Sequence, residues 1–190
     1  MALPQTKTDL TEERLAALSL PEGATWANDA RADALSRLRA MGLPTGRDEY
    51  WKYTDPSSLT QTGATKAAVF DDSDEAPLFK GIERVKIVFV DGVFDASLSS
   101  DLAMDGVEIE LLSEALAKDI HWARDAYGVL ETRGQDPVQR PLAALNTAYA
   151  AQGVVIRATA KVSRPINLIY LHQSETSDAI MHHLVKVEEG

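Results

Sequence analysis

The chain has 190 residues, of which 45% are hydrophobic and 25% charged, a composition typical of a globular protein. It contains no cysteine, which excludes a disulfide framework, a thiolate nucleophile and a cysteine-based metal site. The formal net charge is −10, and residues 1–150 carry all of it with 15 basic and 25 acidic residues, so nucleic acid is an unfavourable partner.

The N-terminus has no feature of a targeting segment. It reads Met-Ala-Leu-Pro-Gln-Thr-Lys-Thr-Asp and soon becomes acidic, which differs from a signal peptide. No apolar run approaches the roughly 20 residues that a membrane-spanning helix needs. We therefore expect a soluble, cytoplasmic protein.

Two short amphipathic helices are predicted first. Asp9 or Thr11 can cap the first helix, and Pro21 ends it. Its predicted apolar face consists of Leu10, Leu15, Ala16 and Leu18. The second helix is predicted from Asn28 to Met41, followed by Gly42 and Pro44. Its predicted buried residues are Ala34, Leu35, Leu38 and Met41.

An aromatic motif follows, in which Tyr50, Trp51 and Tyr53 lie within four residues of the segment 42–54 (GLPTGRDEYWKYT). Such a cluster could be a ligand-stacking platform or a nucleic-acid patch. The flanking charges balance, however, and buried aromatic rings dominate packing. We therefore expect the motif to be buried and to pin the helical arm, meaning the two predicted N-terminal helices, to the next layer of the fold.

A small α/β layer is predicted after an irregular stretch at 55–80, in which residues 71–77 form an acidic loop without the pattern of a calcium site. A strand at 85–90, the turn Asp91-Gly92 and a returning strand at 93–94 predict a type I′ hairpin. A third strand at 107–111 leads through Ser113, a plausible N-cap, to a helix from Glu114 towards Ala126.

The last forty residues predict strands with no helix between them. A break at Asp136-Pro137 and a helix at 141–151 precede them, with Gly153 opening the first strand. The predicted strands are 153–163, 166–172 and 181–188, the last with Met181, Val185 and Val187 on one face. This spacing fits either an antiparallel sheet or stacked β-solenoid coils. Because no cap follows, we expect the chain to be the front of a longer protein.

Residues for chemistry are sparse. No phosphate-binding loop, nucleophile elbow or zinc-protease motif occurs. His182 and His183, on one predicted strand, would project to opposite faces, whereas His172 could approach one of them. Asp119, His121 and Asp125 are predicted on one helix, where an exposed face is the expected role. We assign no catalytic, cofactor-binding or metal-binding residue and predict that the chain is not an enzyme.

Several stretches together resemble the N-terminal part of the SufD family, scaffold subunits of the SUF iron–sulfur cluster assembly machinery. They are GLPTGRDEYWKYT at 42–54, VDGVFDASLS at 90–99, LAALNTAYAAQGVVI at 142–156, RPINLIYLH at 164–172 and VEEG at 187–190. The resemblance implies an α+β fold in which an N-terminal helical and small α/β domain, residues 1–135, precedes a helix and the first coils of a right-handed parallel β-helix, residues 136–190. The short helical region and the WKYT motif favour SufD over the related SufB.

The resemblance also implies partners. In that family the β-helix pairs with SufB and a C-terminal domain docks the SufC ATPase, through parts mostly beyond residue 190. No functional residue or cofactor is therefore carried over, and self-association through an open β-helix end is possible. The alternatives are a free-standing adaptor or β-solenoid protein and a carbohydrate-active β-helix enzyme. The enzyme would need clustered carboxylates, but Glu175, Asp178, Glu188 and Glu189 fall mostly at turns or at the chain end.

Overall fold

The computed structural model describes residues 6–62, 69, 79–133 and 138–189. The described helices are α1 (Lys7–Ala16), α2 (Thr25–Met41), α3 (Ser57–Thr60), α4 (Leu112–Leu116), α5 (Val129–Arg133) and α6 (Pro141–Tyr149), with 3-10 turns at Glu49–Trp51 and Trp122–Asp125. The strands are β1 (Val85–Val90), β2 (Val93–Phe94), β3 (Val107–Leu111), β4 (Val154–Ala158), β5 (Ile166–Leu171) and β6 (Leu184–Val187). The protein is thus a mixed α+β fold, as predicted.

Contacts divide the chain into two units. A helical unit contains residues 1–65 and 116–151, and a strand unit contains residues 66–115 and 152–190. The predicted domain boundary after residue 135 stays a prediction. None of the described helices combines the length and apolar character needed to cross a bilayer.

The first helix begins earlier than predicted. Thr6 is its N-cap: the Thr6 side chain accepts the N–H of Asp9, and the Asp9 carboxylate accepts the N–H of Thr6. Asp9 is therefore the partner in a capping box. Thr11, the other predicted cap, is buried, where its hydroxyl donates to the Lys7 carbonyl and accepts the N–H of Leu43. The helix ends at Ala16, which is exposed, before reaching Pro21.

The core of the helical unit lies where α2 packs against α6. Ala27, Ala34 and Leu38 of α2 are buried, whereas Leu35 and Met41 are only partly so. Pro141 is the first residue of α6, which confirms the predicted start of this helix. The buried guanidinium of Arg31 donates to the Pro21 carbonyl at 3.1 Å and to the Ala150 carbonyl at 3.2 Å. Arg31 thus links the segment that precedes α2 to the residue that follows α6.

The predicted helix from Glu114 to Ala126 is wrong. The chain turns into α4 directly after β3, so Ser113 lies inside a helix instead of capping one. This helix stops at Leu116, whose carbonyl accepts the N–H of Ala24 and so joins the helical unit. Trp26 Nε1 also donates to the Lys118 carbonyl at 2.8 Å. These tertiary hydrogen bonds compete with continuation of the helix.

The stretch 55–80, which was predicted to be irregular, contains α3. The acidic loop 71–77 lies outside the described residues.

The strand unit contains two three-stranded sheets, ordered β2-β1-β5 and β3-β4-β6. The β1–β2 and β3–β4 pairs are antiparallel, and the β1–β5 and β4–β6 pairs are parallel. Consecutive strands β4, β5 and β6 therefore alternate between the sheets, which rules out an antiparallel meander for the last forty residues. Side chains from both sheets share one core, formed by Val85, Ile87, Phe89, Val107, Val154 and Ile156.

Two features of the backbone, one turn and one close approach, are part of this arrangement. Asp91 and Gly92 have φ of 51° and 83°, as both central residues of a type I′ turn require, so the predicted hairpin is confirmed. At Gly153, with φ of 146°, a Cβ atom would lie 1.8 Å from the carbonyl oxygen of His182. Only glycine lets these two backbones approach so closely.

The predicted strand boundaries were too wide. β4 ends at Ala158 instead of Ser163, and its first three residues are all buried, so the expected alternation fails there. In β5 the side chains are half-buried instead of covered on both faces, and Tyr170 is about half exposed. β6 begins only at Leu184.

Candidate functional site

The histidines before β6 are held by neighbouring strands. His183 Nδ1 accepts the N–H of Val154 at 3.1 Å, and its Nε2 lies 2.9 Å from the phenolic oxygen of Tyr170. Because Nδ1 accepts, the neutral ring carries its proton on Nε2, which donates to Tyr170. Both ring nitrogens are thereby used. The imidazole is a structural link and would have to give up one hydrogen bond to bind a metal.

His182 lies beside this link. Burial, with a smaller contribution from His183, lowers its pKa from 6.5 to about 4, and burial also lowers the pKa of His183. Both rings are therefore neutral near pH 7. The argument that they project to opposite faces of a strand was wrong in its premise, because both precede β6 instead of lying in it.

His172 approaches an aspartate instead of another histidine. It follows β5, which belongs to a different sheet from β6, and its Nδ1 lies 3.6 Å from Asp91 Oδ1. Ser177 Oγ lies 3.2 Å from the same Nδ1 and donates to Asp91 Oδ1 at 3.1 Å. A Ser-His-Asp relay needs serine and aspartate at opposite ring nitrogens. Here both approach one nitrogen, so these residues do not form a hydrolase triad.

The Asp91 carboxylate instead anchors the loop after β5. Its Oδ1 accepts the N–H of Gln173 at 2.9 Å and the N–H of Ser174 at 3.0 Å. The bond from Ser174, followed by those from Gln173 and Ser177 and the charge of His172, lowers the pKa of Asp91. The hairpin turn thus holds the loop that leads to β6.

The predicted Asp119, His121 and Asp125 set does not lie on one helix. His121 caps the 3-10 turn Trp122–Asp125, and its Nδ1 accepts the N–H of Ala123 at 3.0 Å. Asp119 precedes that turn, in the segment after α4. Within the described residues, no three His, Cys, Asp or Glu side chains form a group that could hold a metal ion.

The aromatic motif is more exposed than expected. Tyr50 is 71% exposed and Tyr53 is 92% exposed, while Trp51 is half-buried in the 3-10 turn Glu49–Trp51. The expectation that Trp51 and Tyr53 together pin the helical arm is therefore wrong for Tyr53. The arm is held by neighbouring polar groups, since Lys7 donates to Asp48 at 3.0 Å and Asp48 accepts the N–H of Thr45 at 2.7 Å.

Comparison with protein families gives one match over most of the chain. The model of the SufBD protein N-terminal region matches residues 4–168. The chain belongs to the SufBD family. This membership implies a part in the scaffold for iron–sulfur cluster assembly by the SUF system. No curated protein matches the chain.

The SufBD match ends within β5, so its segment includes the aromatic motif but not His172, His182 or His183. The carboxylates considered for a carbohydrate-active enzyme also lie beyond the matched segment. One of them, Glu188, accepts from Lys186 at 2.8 Å and from Arg157 at 2.7 Å. These bonds, the one from Lys186 first, lower its pKa. A carboxylate held by two cations is poorly suited to act as the acid of a glycosidase.

Proposed function

We propose that the chain is a SufD-type, non-catalytic scaffold subunit of the SUF system. The match to the SufBD family supports the scaffold role. The stretches 42–54 and 142–156, with the WKYT and ALNTA sequences, resemble SufD, and the short helical region favours it over SufB. The Asp91, His172 and Ser177 arrangement and the engaged Glu188 are consistent with a protein without catalytic residues.

The strand unit in this proposal forms the first coil of a right-handed parallel β-helix. The observation that carries it is the parallel pairing of β4 with β6 while β5 lies in the other sheet. Val155 pairs with Leu184, 29 positions later, so the chain returns to the same sheet one strand further on. Residues of both sheets enclose one core, as the interior of a solenoid requires.

The proposed partners are a SufB-like subunit and a SufC-like ATPase. Following the family resemblance, their contact surfaces lie mostly C-terminal to residue 190, so no residue of this chain is assigned to either interface. The proposal includes a cytoplasmic location and no resident cofactor or metal. The lack of cysteine and the engagement of both His183 ring nitrogens support the latter part.

Complementation tests this proposal. The complete reading frame that encodes the chain would be expressed in SUF-dependent bacteria lacking either SufD or SufB, and the activity of an iron–sulfur enzyme would be measured. We expect rescue of the SufD-deficient strain alone. Rescue of the SufB-deficient strain would reverse the assignment. Failure in both strains would contradict the scaffold role and favour a free-standing adaptor.

A further inference from the structure

The sequence Asp-Gly-Val occurs at residues 91–93 and again at residues 105–107, and each Asp-Gly pair lies in a turn of the strand unit. An aspartate followed by glycine is chemically labile, because glycine has no side chain to hinder attack by its amide nitrogen on the aspartate carboxyl carbon. This attack expels water and closes a succinimide ring. Water then opens the ring at either carbonyl, which restores aspartate or leaves isoaspartate, whose main chain runs through the former side chain.

The carboxylate of Asp91 is held in place by hydrogen bonds. Its Oδ1 accepts the N–H of Gln173, the N–H of Ser174 and the hydroxyl of Ser177, at 2.9, 3.0 and 3.1 Å respectively. The carboxyl group would have to give up these bonds to turn towards the nitrogen of Gly92. The bond from Ser174 contributes most to lowering the pKa of Asp91, which leaves less of the protonated carboxyl that can lose water.

The carboxylate of Asp105 has no such restraint. The residue is exposed, and no group in the described part of the chain donates to its carboxylate or forms a salt bridge with it. It lies with Gly106, at φ of 80°, in the turn that the bridge between Met104 and Val107 closes. The side chain can therefore rotate towards the nitrogen of Gly106 without losing a contact.

The same turn supports the loop that follows β4. The Gly106 carbonyl accepts the N–H of Thr159 at 2.9 Å and the N–H of Ala160 at 3.2 Å. A Cβ atom on Gly106 would lie 2.6 Å from the carbonyl oxygen of Lys161, so this loop packs directly on the glycine. Isoaspartate at position 105 would add one carbon atom to the main chain just before Gly106 and displace it from the loop.

We propose that Asp105 is a site of spontaneous isoaspartate formation in the folded protein, and that the modification loosens the contact between the turn before β3 and the loop after β4. The modified chain is then a substrate for a carboxyl methyltransferase that recognises isoaspartate and uses S-adenosylmethionine. Asp91, with the same two following residues, is protected by its hydrogen bonds. This chemistry belongs to the strand unit and does not depend on the proposed scaffold role.

Ageing of the purified chain tests the inference, with Asp91 as the internal control. One sample is incubated folded at mildly acidic pH and another in concentrated urea, and isoaspartate is then quantified by enzymatic methylation and assigned to each site by mass spectrometry. We expect the folded chain to form about tenfold more isoaspartate at Asp105 than at Asp91, because Asp91 must first break hydrogen bonds to a charged group. In urea the two sites should react at similar rates, since both are followed by Gly-Val.

Variants connect the modification to the fold. Asp105→Glu should abolish the signal at this site, because glutamate would have to close a less favourable, larger ring. Asp105→Asn should increase it, because the amide is lost more readily as ammonia. Urea unfolding of the aged wild type should reveal a less stable fraction that aged Asp105→Glu lacks. Equal modification of Asp105 and Asp91 in the folded chain, or the same less stable fraction in aged Asp105→Glu, would overturn the inference.

Discussion

The Nε2 atom of His183 lies 2.9 Å from the phenolic oxygen of Tyr170. The same ring accepts the N–H of Val154 through Nδ1, and it packs edge to face on Phe89 with centroids 5.5 Å apart. One imidazole therefore connects β4, β5 and the core of the strand unit.

Two substitutions that remove part or all of this connection should destabilise the protein to different extents. Tyr170→Phe loses one hydrogen bond and should lower the free energy of unfolding by about 0.5 to 1.5 kcal/mol. His183→Ala also leaves the buried N–H of Val154 without its partner and should cost about 2 to 4 kcal/mol. Urea unfolding measures both. Equal losses in the two variants would mean that the bond to Val154 contributes nothing.

Metal content is expected to be low. The chain has no cysteine, and both nitrogens of His183 are engaged, so we predict that the purified protein holds neither an iron–sulfur cluster nor stoichiometric zinc. Elemental analysis after purification without chelators checks this. One tightly bound metal per chain that disappears in His183→Ala would contradict it.

Acid should weaken the fold through His182. The pKa of His182 is lowered from 6.5 to about 4 in the folded protein. Between these two pH values His182 is protonated in the unfolded chain but neutral in the folded chain, so protons favour unfolding. The contribution of neutral His182 to the free energy of unfolding is fully present above pH 6.5. We expect it to fall by on the order of 3 kcal/mol as the pH drops to 4. Urea unfolding at several pH values should show a smaller loss in His182→Gln. The same pH dependence in variant and wild type would show that His182 is not buried.

The aromatic motif should contribute little to stability at its exposed end. A fully buried Trp51 would make Trp51→Ala cost about 3 to 5 kcal/mol, as for a core residue. The half-buried ring lowers this expectation to about 1 to 3 kcal/mol. Tyr53→Ala should stay within about 0.5 kcal/mol of the wild type, because its side chain is in solvent. Thermal unfolding of both variants distinguishes them; a larger loss in Tyr53→Ala would contradict the structure.

The edge of β6 should promote self-association. Val185 pairs with Ile156, so it projects to the core side of the sheet, yet it is 64% exposed, and Val187 is 75% exposed. No described strand pairs with the other edge of β6. An uncovered apolar edge strand is a template for further pairing. We therefore expect the 190-residue chain to associate through this edge or to fray there.

Light scattering over a dilution series tests the edge. Val187→Lys should shift the distribution towards monomer, because a charge on an edge strand opposes pairing. Ile120→Lys, in the helical unit, should leave it unchanged. A monodisperse wild-type monomer with strong amide protection from Leu184 to Val187 would show that this edge is closed, and it would count against the solenoid proposal.

The sequence by itself determined the features that depend on neighbouring residues. The end of α2 at Met41, the start of α6 at Pro141 and the type I′ turn at Asp91-Gly92 were all predicted, because glycine and proline restrict the backbone locally. The resemblance to the SufBD family was also visible without a structure, since it lies in short stretches of sequence.

The tertiary structure alone decided the rest. Strand pairing depends on residues far apart in the chain, so periodicity could not place β5 and β6 in different sheets or bring Tyr170 to His183. The helix after β3 stops because the Leu116 carbonyl bonds to Ala24, a partner 92 positions earlier. Exposure of Tyr50 and Tyr53 likewise depends on which surfaces fold over them, and aromatic composition cannot report that.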